Sequence, residues 1–227
     1  YTADAEAARD AINAWVATQT KERIPELLAE GTITRDARLT LVNAIYLKAN
    51  WDTLFPKDAT TSQPFAAPAG EVTVQMMHRT DQFGYAEGNG WQAVDVPYVF
   101  RELAFTVAMG DDEDTVLPTG EELFAALSER QVELGLPRFD IETSTDLADV
   151  LAEMGMPTAF TAAADFSGIT QTERLSIGAV IHQANITVDE EGTEAAAATA
   201  VIMVETSAPS DEPVVLTIDR PFTFWLR

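Results

Sequence analysis

Apolar residues recur at helical spacing over residues 5–18, where Ile12, Trp15 and Val16 mark one face and Thr2 or Asp4 can cap the start. Pro25 then opens a second short helix carrying Leu27 and Leu28, which Gly31 can end. Residues 38–49 alternate as a strand. One set is Leu39, Leu41, Asn43, Ile45 and Leu47, the other contains Val42, Ala44 and Tyr46, and apolar residues in both sets predict a strand covered on both sides. Asn43 would then be a buried amide in need of partners. Further β-like runs follow at 72–76, 93–96 and 103–109, with turn chemistry at Gly88-Asn89-Gly90. Residues 121–129 read as a helix, followed by a strand with Val132, Leu134 and Leu136 that Pro137 disturbs. The best helical stripe is Leu147, Val150, Leu151 and Met154 within 146–154, stopped by Gly155. Residues 179–188 are β-like, and the last strands begin at 214–218. No linker divides the chain and no repeat appears, so the reading is one α+β domain over residues 1–227.

Composition narrows the function. The 227 residues carry 14 Lys and Arg against 37 Asp and Glu, a net charge of −23. That field opposes binding to nucleic acid or to an anionic membrane surface, and no apolar run reaches the length of a membrane span. Without Cys there are no disulfides, thiolate metal sites or cysteine nucleophiles. The chain shows no starting Met and no signal-like segment, and it opens at Tyr1 on the run-up to a helix, so it is expected to be a piece of a longer protein. The compartment stays open between extracellular and cytoplasmic.

Catalytic patterns fail one by one. The two histidines, His78 and His182, stand in different β-like runs, which excludes a His-rich metal site. Ser176-Ile177-Gly178 resembles half of a nucleophile elbow, but Arg174 holds the first glycine position. In the acidic run Gly110-Asp111-Asp112-Glu113-Asp114, counting from Asp112 puts Leu117 and Leu123 where a calcium loop needs glycine and glutamate. We therefore expect no enzyme, no catalytic or metal-ligating residues and no cofactor.

The stretch 190–207 fits none of this. Its alanines are helix formers, Val201 to Val204 are β-like, Gly192 makes a hinge, and the following residues to Pro213 read as an exposed loop. One reading is a surface helix and a loop; the other is a mobile segment able to become a strand. For the second, small side chains matter, because a strand entering between two others must not bring bulk or charge to be buried. Thr193, Ala195, Ala197 and Thr199 alternate on one face and are all small.

This segment, Glu190, Glu191, Gly192, Thr193, Glu194, Ala195, Ala196, Ala197, Ala198 and Thr199, resembles the reactive-loop hinge of the serpins. Three other stretches carry the same likeness. Leu41-Val42-Asn43-Ala44-Ile45-Tyr46-Leu47-Lys48-Ala49-Asn50-Trp51, with Phe55 after it, resembles the third strand of that family's main sheet. Asp165-Phe166-Ser167-Gly168-Ile169 and Asp219-Arg220-Pro221-Phe222-Thr223-Phe224 resemble two further signatures. Prokaryotic members of the thermopin kind are the nearest likeness.

The resemblance implies a serpin-like α+β fold of mixed β-sheets with packed helices and an exposed reactive loop at about 190–213. The N-terminal helices and the last strand of the family's core sheet are absent from this chain, so companion segments are expected. It implies a monomeric suicide inhibitor whose partner is a serine protease: the loop is cleaved, the acyl-enzyme trapped, and the loop inserted into the main sheet. Counting along the hinge places the scissile bond at Thr206–Ser207. A small β-branched Thr206 suits elastase-like or subtilisin-like targets, with chymotrypsin-like enzymes still open. Asn43 and His182 match the family's shutter, where the sheet opens. Trp51, Arg138 and Glu190 match the breach, where insertion begins; typical members have Lys at position 138. A hinge of small residues without Pro favours an inhibitor. The alternatives are a non-inhibitory serpin serving as a binding or chaperone-like protein, and an unrelated α+β hydrolase.

Overall fold

The computed structural model describes residues 4–34, 39–193 and 212–227. Along the chain run α1 (Ala5–Gln19), β1 (Thr40–Ile45), β2 (Ala49–Asn50), β3 (Thr61–Ala67), β4 (Gly70–Gly88), β5 (Trp91–Pro97), β6 (Ala104–Gly110) and α2 (Gly120–Ala126). Then come β7 (Ser128–Pro137), β8 (Phe139–Asp146), α3 (Ala148–Glu153), β9 (Ala179–Val188), β10 (Gly192–Thr193), β11 (Val214–Thr217) and β12 (Phe222–Leu226). The class is α+β, with mixed sheets and few helices. The chain divides into two compact units, residues 1–46 with 141–186, and residues 47–140 with 187–227.

In the first unit, the Asp4 side chain caps α1 by accepting from the Ala7 amide at 3.0 Å. The predicted helix at Pro25 does not form. Thr20 ends α1, Lys21 and Glu22 turn the chain with positive φ, and buried Asn13 holds the segment beyond. Its amide donates to the Leu28 carbonyl and accepts from the Leu28 N–H, both at 2.9 Å. That clamp satisfies backbone groups which a helix would have paired internally. Ile24, Leu27, Leu28 and Ile33 are buried against Val16, Ile12 and the Val42 and Ala44 face of β1. Trp15, predicted on the apolar face of α1, is 58% exposed.

β1 runs parallel to β9, with Thr40 to Ile45 opposite Ala179 to Ala184, and β8 pairs with β9 too. The strand predicted over 38–49 is shorter than read; its first residue, Arg38, lies outside the described residues. Only one of its faces is covered among the described residues: Leu41, Asn43 and Ile45 are exposed. α3 is likewise shorter than its stripe, and Val150 and Met154 stay exposed.

The second unit is built on a seven-stranded sheet in the order β11-β7-β4-β5-β6-β12, with β3 added to β4. β4 is long because different neighbours pair along its length: β3 at its start, β7 in the middle and β5 at its end. β6 is buried in six of its seven positions, and the unit's core includes Met76, Met77, Phe83, Phe105, Leu134 and Leu136. The helix predicted over 121–129 stops earlier. A capping box between Thr119 and Glu122 starts α2, and Leu127 turns extended so that Ser128 and Glu129 join β7. Pro137 is the last residue of β7, where its missing N–H costs no ladder bond within the strand.

Candidate functional site

β9 ends at Val188 and the chain reverses within four residues. Asp189 makes the reversal local: its carboxylate accepts from the amides of Glu191 at 2.8 Å and Gly192 at 3.2 Å, and its own amide donates to the Gly192 carbonyl. Gly192 has φ +150°, and a Cβ there would lie 2.1 Å from the Ala49 carbonyl oxygen. Only glycine allows this approach, which seats β10 against β2, with Gly192 opposite Asn50 and Thr193 opposite Ala49. On its other side Thr193 pairs with Val188 of β9. The first two residues after the reversal thus form a strand between two others, and the Thr193 side chain is buried.

An aromatic cage holds this turn. Trp51 is 1% exposed; its indole N–H donates to the Asp189 carbonyl at 2.8 Å, and its backbone N–H donates to the Glu191 carbonyl at 3.0 Å. Its ring stacks on Tyr98 at a centroid distance of 4.6 Å and meets Phe55 and Phe105 edge-on. The Phe55 amide donates to the Glu190 carbonyl. The Tyr98 hydroxyl hydrogen-bonds the Thr193 hydroxyl inside the same cage.

Burial pushes the Tyr98 phenol up to about 12, the Thr193 hydrogen bond working against that rise. Folding therefore holds this proton more tightly than the unfolded chain does. The associated stability is present below about pH 10 and is lost as pH climbs through about 12. In an absorbance titration of the phenolates, the highest-pH step is expected to vanish in Tyr98→Phe and to persist in Tyr85→Phe.

The charged groups of the turn are paired with different closeness. Glu190 is buried: one carboxylate oxygen accepts from the Thr60 hydroxyl at 2.7 Å, and the other lies 3.6 Å from Arg138 Nε. The second contact is an ion pair longer than a hydrogen bond, so the guanidinium fork is not engaged on both oxygens. Arg138 is anchored by its amide, which donates to the Gln75 carbonyl. Glu191 binds Lys57 Nζ at 2.6 Å, and that bond, first of all, raises the lysine's pKa.

Trp51, Arg138 and Glu190 are therefore gathered at one place. In the other unit, Asn43 and His182 are register partners in the β1–β9 pairing. Asn43 is exposed and His182 half-buried, no hydrogen bond joins their side chains, and the expected burial of Asn43 is not found. Glu191, Gly192 and Thr193 form the turn and β10. Glu194, Ala195, Ala196, Ala197, Ala198 and Thr199 of the hinge, and the expected reactive bond Thr206–Ser207, lie outside the described residues. Sequence reasoning missed Thr60, Lys57 and Tyr98. Each belongs to the site only through chain reversal far along the sequence, and only an isolated polar residue beside an apolar run could have hinted at it.

Among the described residues no group of three His, Cys, Asp or Glu is placed to hold a metal ion, and no helix is long and apolar enough to cross a membrane.

The chain is similar to known proteins along its whole length. The family model described as serpin, serine protease inhibitor, matches residues 1–227. The chain is 39% identical to Serpin B4 of Homo sapiens, covering 98% of this chain and 60% of that protein. It is 39% identical to a serpin-like protein of Thermococcus kodakarensis, TK1782, over 98% of this chain and 53% of that one. It is 37% identical to the leukocyte elastase inhibitor of Sus scrofa, over 98% and 63%. Among solved structures, Serpin48 of the insect Tenebrio molitor matches with a TM-score of 0.84 at 28% identity, over 99% of this chain and 62% of that one. The thermophilic serpin Tengpin, in its native state, matches with 0.85 at 27% identity, over 97% and 59%. The chain thus spans roughly six tenths of the length of the relatives it matches.

Proposed function

The chain belongs to the serpin family, a family of protease inhibitors and not of enzymes, and on that premise we propose that it inhibits a serine protease by the suicide route. The target's serine oxygen attacks the Thr206 carbonyl carbon. The Thr206–Ser207 peptide bond breaks, Ser207 leaves as a free amine, and Thr206 remains as an ester on the protease. The freed segment from Thr193 to Thr206 then adds a strand to the sheet and drags the protease with it. The ester survives because a small displacement from the oxyanion donors and the general base removes most of the catalytic advantage.

The observation that carries this reading is β10: its described residues, Gly192 and Thr193, are already seated between β2 and the end of β9, and a run of small residues follows in the sequence. From Glu190 to Thr206 the sequence has no Pro, and Thr193, Ala195, Ala197 and Thr199 present one small face. In this reading Trp51, Arg138 and Glu190 guard the point where insertion begins, and Asn43 with His182 marks where the sheet parts. The target has a small or shallow specificity pocket, elastase-like or subtilisin-like, as Thr206 asks.

The test is incubation of the full-length protein with elastase-like, chymotrypsin-like and subtilisin-like proteases, followed by a denaturing gel. A band at the summed mass is expected with at least one of them, and the released peptide should begin at Ser207. Clean cleavage without that band would overturn inhibition and leave a substrate-like binding serpin.

A further inference from the structure

The loop that follows Tyr98 carries backbone strain. Between β5 and β6, Phe100 and Arg101 both have positive φ, +70° and +56°, and neither is glycine. Two consecutive left-handed residues of this kind are costly and persist only where surrounding contacts over-determine them. Two of those contacts are made by the Tyr98 backbone, and two tie the loop to Asp52. Its amide donates to the Leu103 carbonyl at 3.0 Å, and its carbonyl accepts from the Arg101 amide at 2.9 Å. Arg101 Nε is bound to Asp52 at 2.7 Å, and the Asp52 amide donates to the Pro97 carbonyl at 2.9 Å. The result is a phenol 1% exposed, its ring against Trp51 and its hydroxyl on the Thr193 hydroxyl.

Thr193 is the residue that decides the parity of any strand continuing from β10. Alternate residues of a strand face opposite sides, so a slip of one residue reverses every side chain. With Thr193 inward, Ala195, Ala197 and Thr199 follow on the same face; with a slip of one, Glu194 would be carried inward instead. Among the described residues, Gly192 and Thr193 of β10 pair with β2 and Thr193 pairs with β9, and the Thr193 hydroxyl adds a side-chain contact to that backbone pairing.

We propose that the Tyr98 hydroxyl is a latch that reads the Thr193 hydroxyl and fixes the register from which strand addition proceeds, so that only the small face turns inward. Tyr98 is a positioning residue: it acts through Thr193 and does not touch the scissile bond. Its effect on inhibition rests on the proposed suicide route, whereas its effect on β10 does not.

Tyr98→Phe and Thr193→Val each remove one hydroxyl while keeping nearly all the volume, and Thr193→Ser keeps the hydroxyl. In the full-length protein, hydrogen exchange at the amides of Gly192 and Thr193 is expected to speed up roughly two- to tenfold in Tyr98→Phe and in Thr193→Val. Thr193→Ser should stay close to the unaltered protein, and the double variant should be no worse than the worse single one. Where the unaltered protein traps a protease, the same two variants should shift the partition from covalent adduct toward cleaved inhibitor by a similar factor. Unchanged exchange in both hydroxyl-deleting variants, or additive effects in the double variant, would overturn the latch whatever the proteases do. Faster exchange with an unchanged partition would overturn its role in register. Faster exchange in a protein that traps no protease would overturn the suicide route and leave the latch on β10 standing.

Discussion

Trp51→Ala is expected to destabilise the protein by about 3–5 kcal/mol, the cost of emptying a buried aromatic site. For a chain of this size, that lowers Tm by roughly 6–20 °C. The indole is 1% exposed, stacked on one ring and edge-on to two others, so the void cannot collapse without moving Tyr98, Phe55 and Phe105 together. Removal also strips the Asp189 carbonyl of its indole donor inside the turn. Trp51→Phe fills part of the void but still lacks that donor, and should fall between the two. Guanidinium unfolding of the three full-length proteins checks the order. A loss below about 1 kcal/mol for Trp51→Ala would show that the cage does not support the turn.

The cage also shows what was legible beforehand. Trp51 and Glu190 were identified through their resemblance to known stretches, and Gly192 as a hinge through its local chemistry. Tyr98 and Thr60 left no such trace: they meet Thr193 and Glu190 across 95 and 130 residues of sequence, and nothing periodic announces a hydroxyl that pairs so far away. The start of α1 was readable, since Asp4, one of its two candidate caps, accepts from the Ala7 amide. Ends were not. The helix expected over 121–129 stops at Ala126 because the residues after it have a strand partner, β4, that local propensity cannot see. The turn at Pro25 fails to become a helix for a related reason, since Asn13 supplies its hydrogen bonds from fifteen residues away. Burial of Asn43 was misjudged because apolar residues on both sides of a strand do not say which face has a neighbour.

The parity set by Thr193 yields the sharpest functional expectation. If strand addition follows β10 in register, Ala195 turns into the sheet's covered face and Ala196 turns away. Ala195→Arg would then force a guanidinium into an apolar layer with no partner, a penalty of several kcal/mol placed on the step that, on the proposed suicide route, must outrun deacylation. The covalent adduct should fall at least about tenfold, with a matching rise in cleaved, unbound inhibitor. Ala196→Arg carries the same charge and bulk on the outward face and should change the yield by less than about twofold. Because the two variants differ by one position and share composition, effects on expression, net charge or protease docking cancel between them. A gel that separates adduct from cleaved inhibitor reads the outcome directly. Equal losses in both would mean that the segment does not enter as an alternating strand. A larger loss in Ala196→Arg would mean that it enters one residue out of step with Thr193, which places the fault in the register that Tyr98 is proposed to hold.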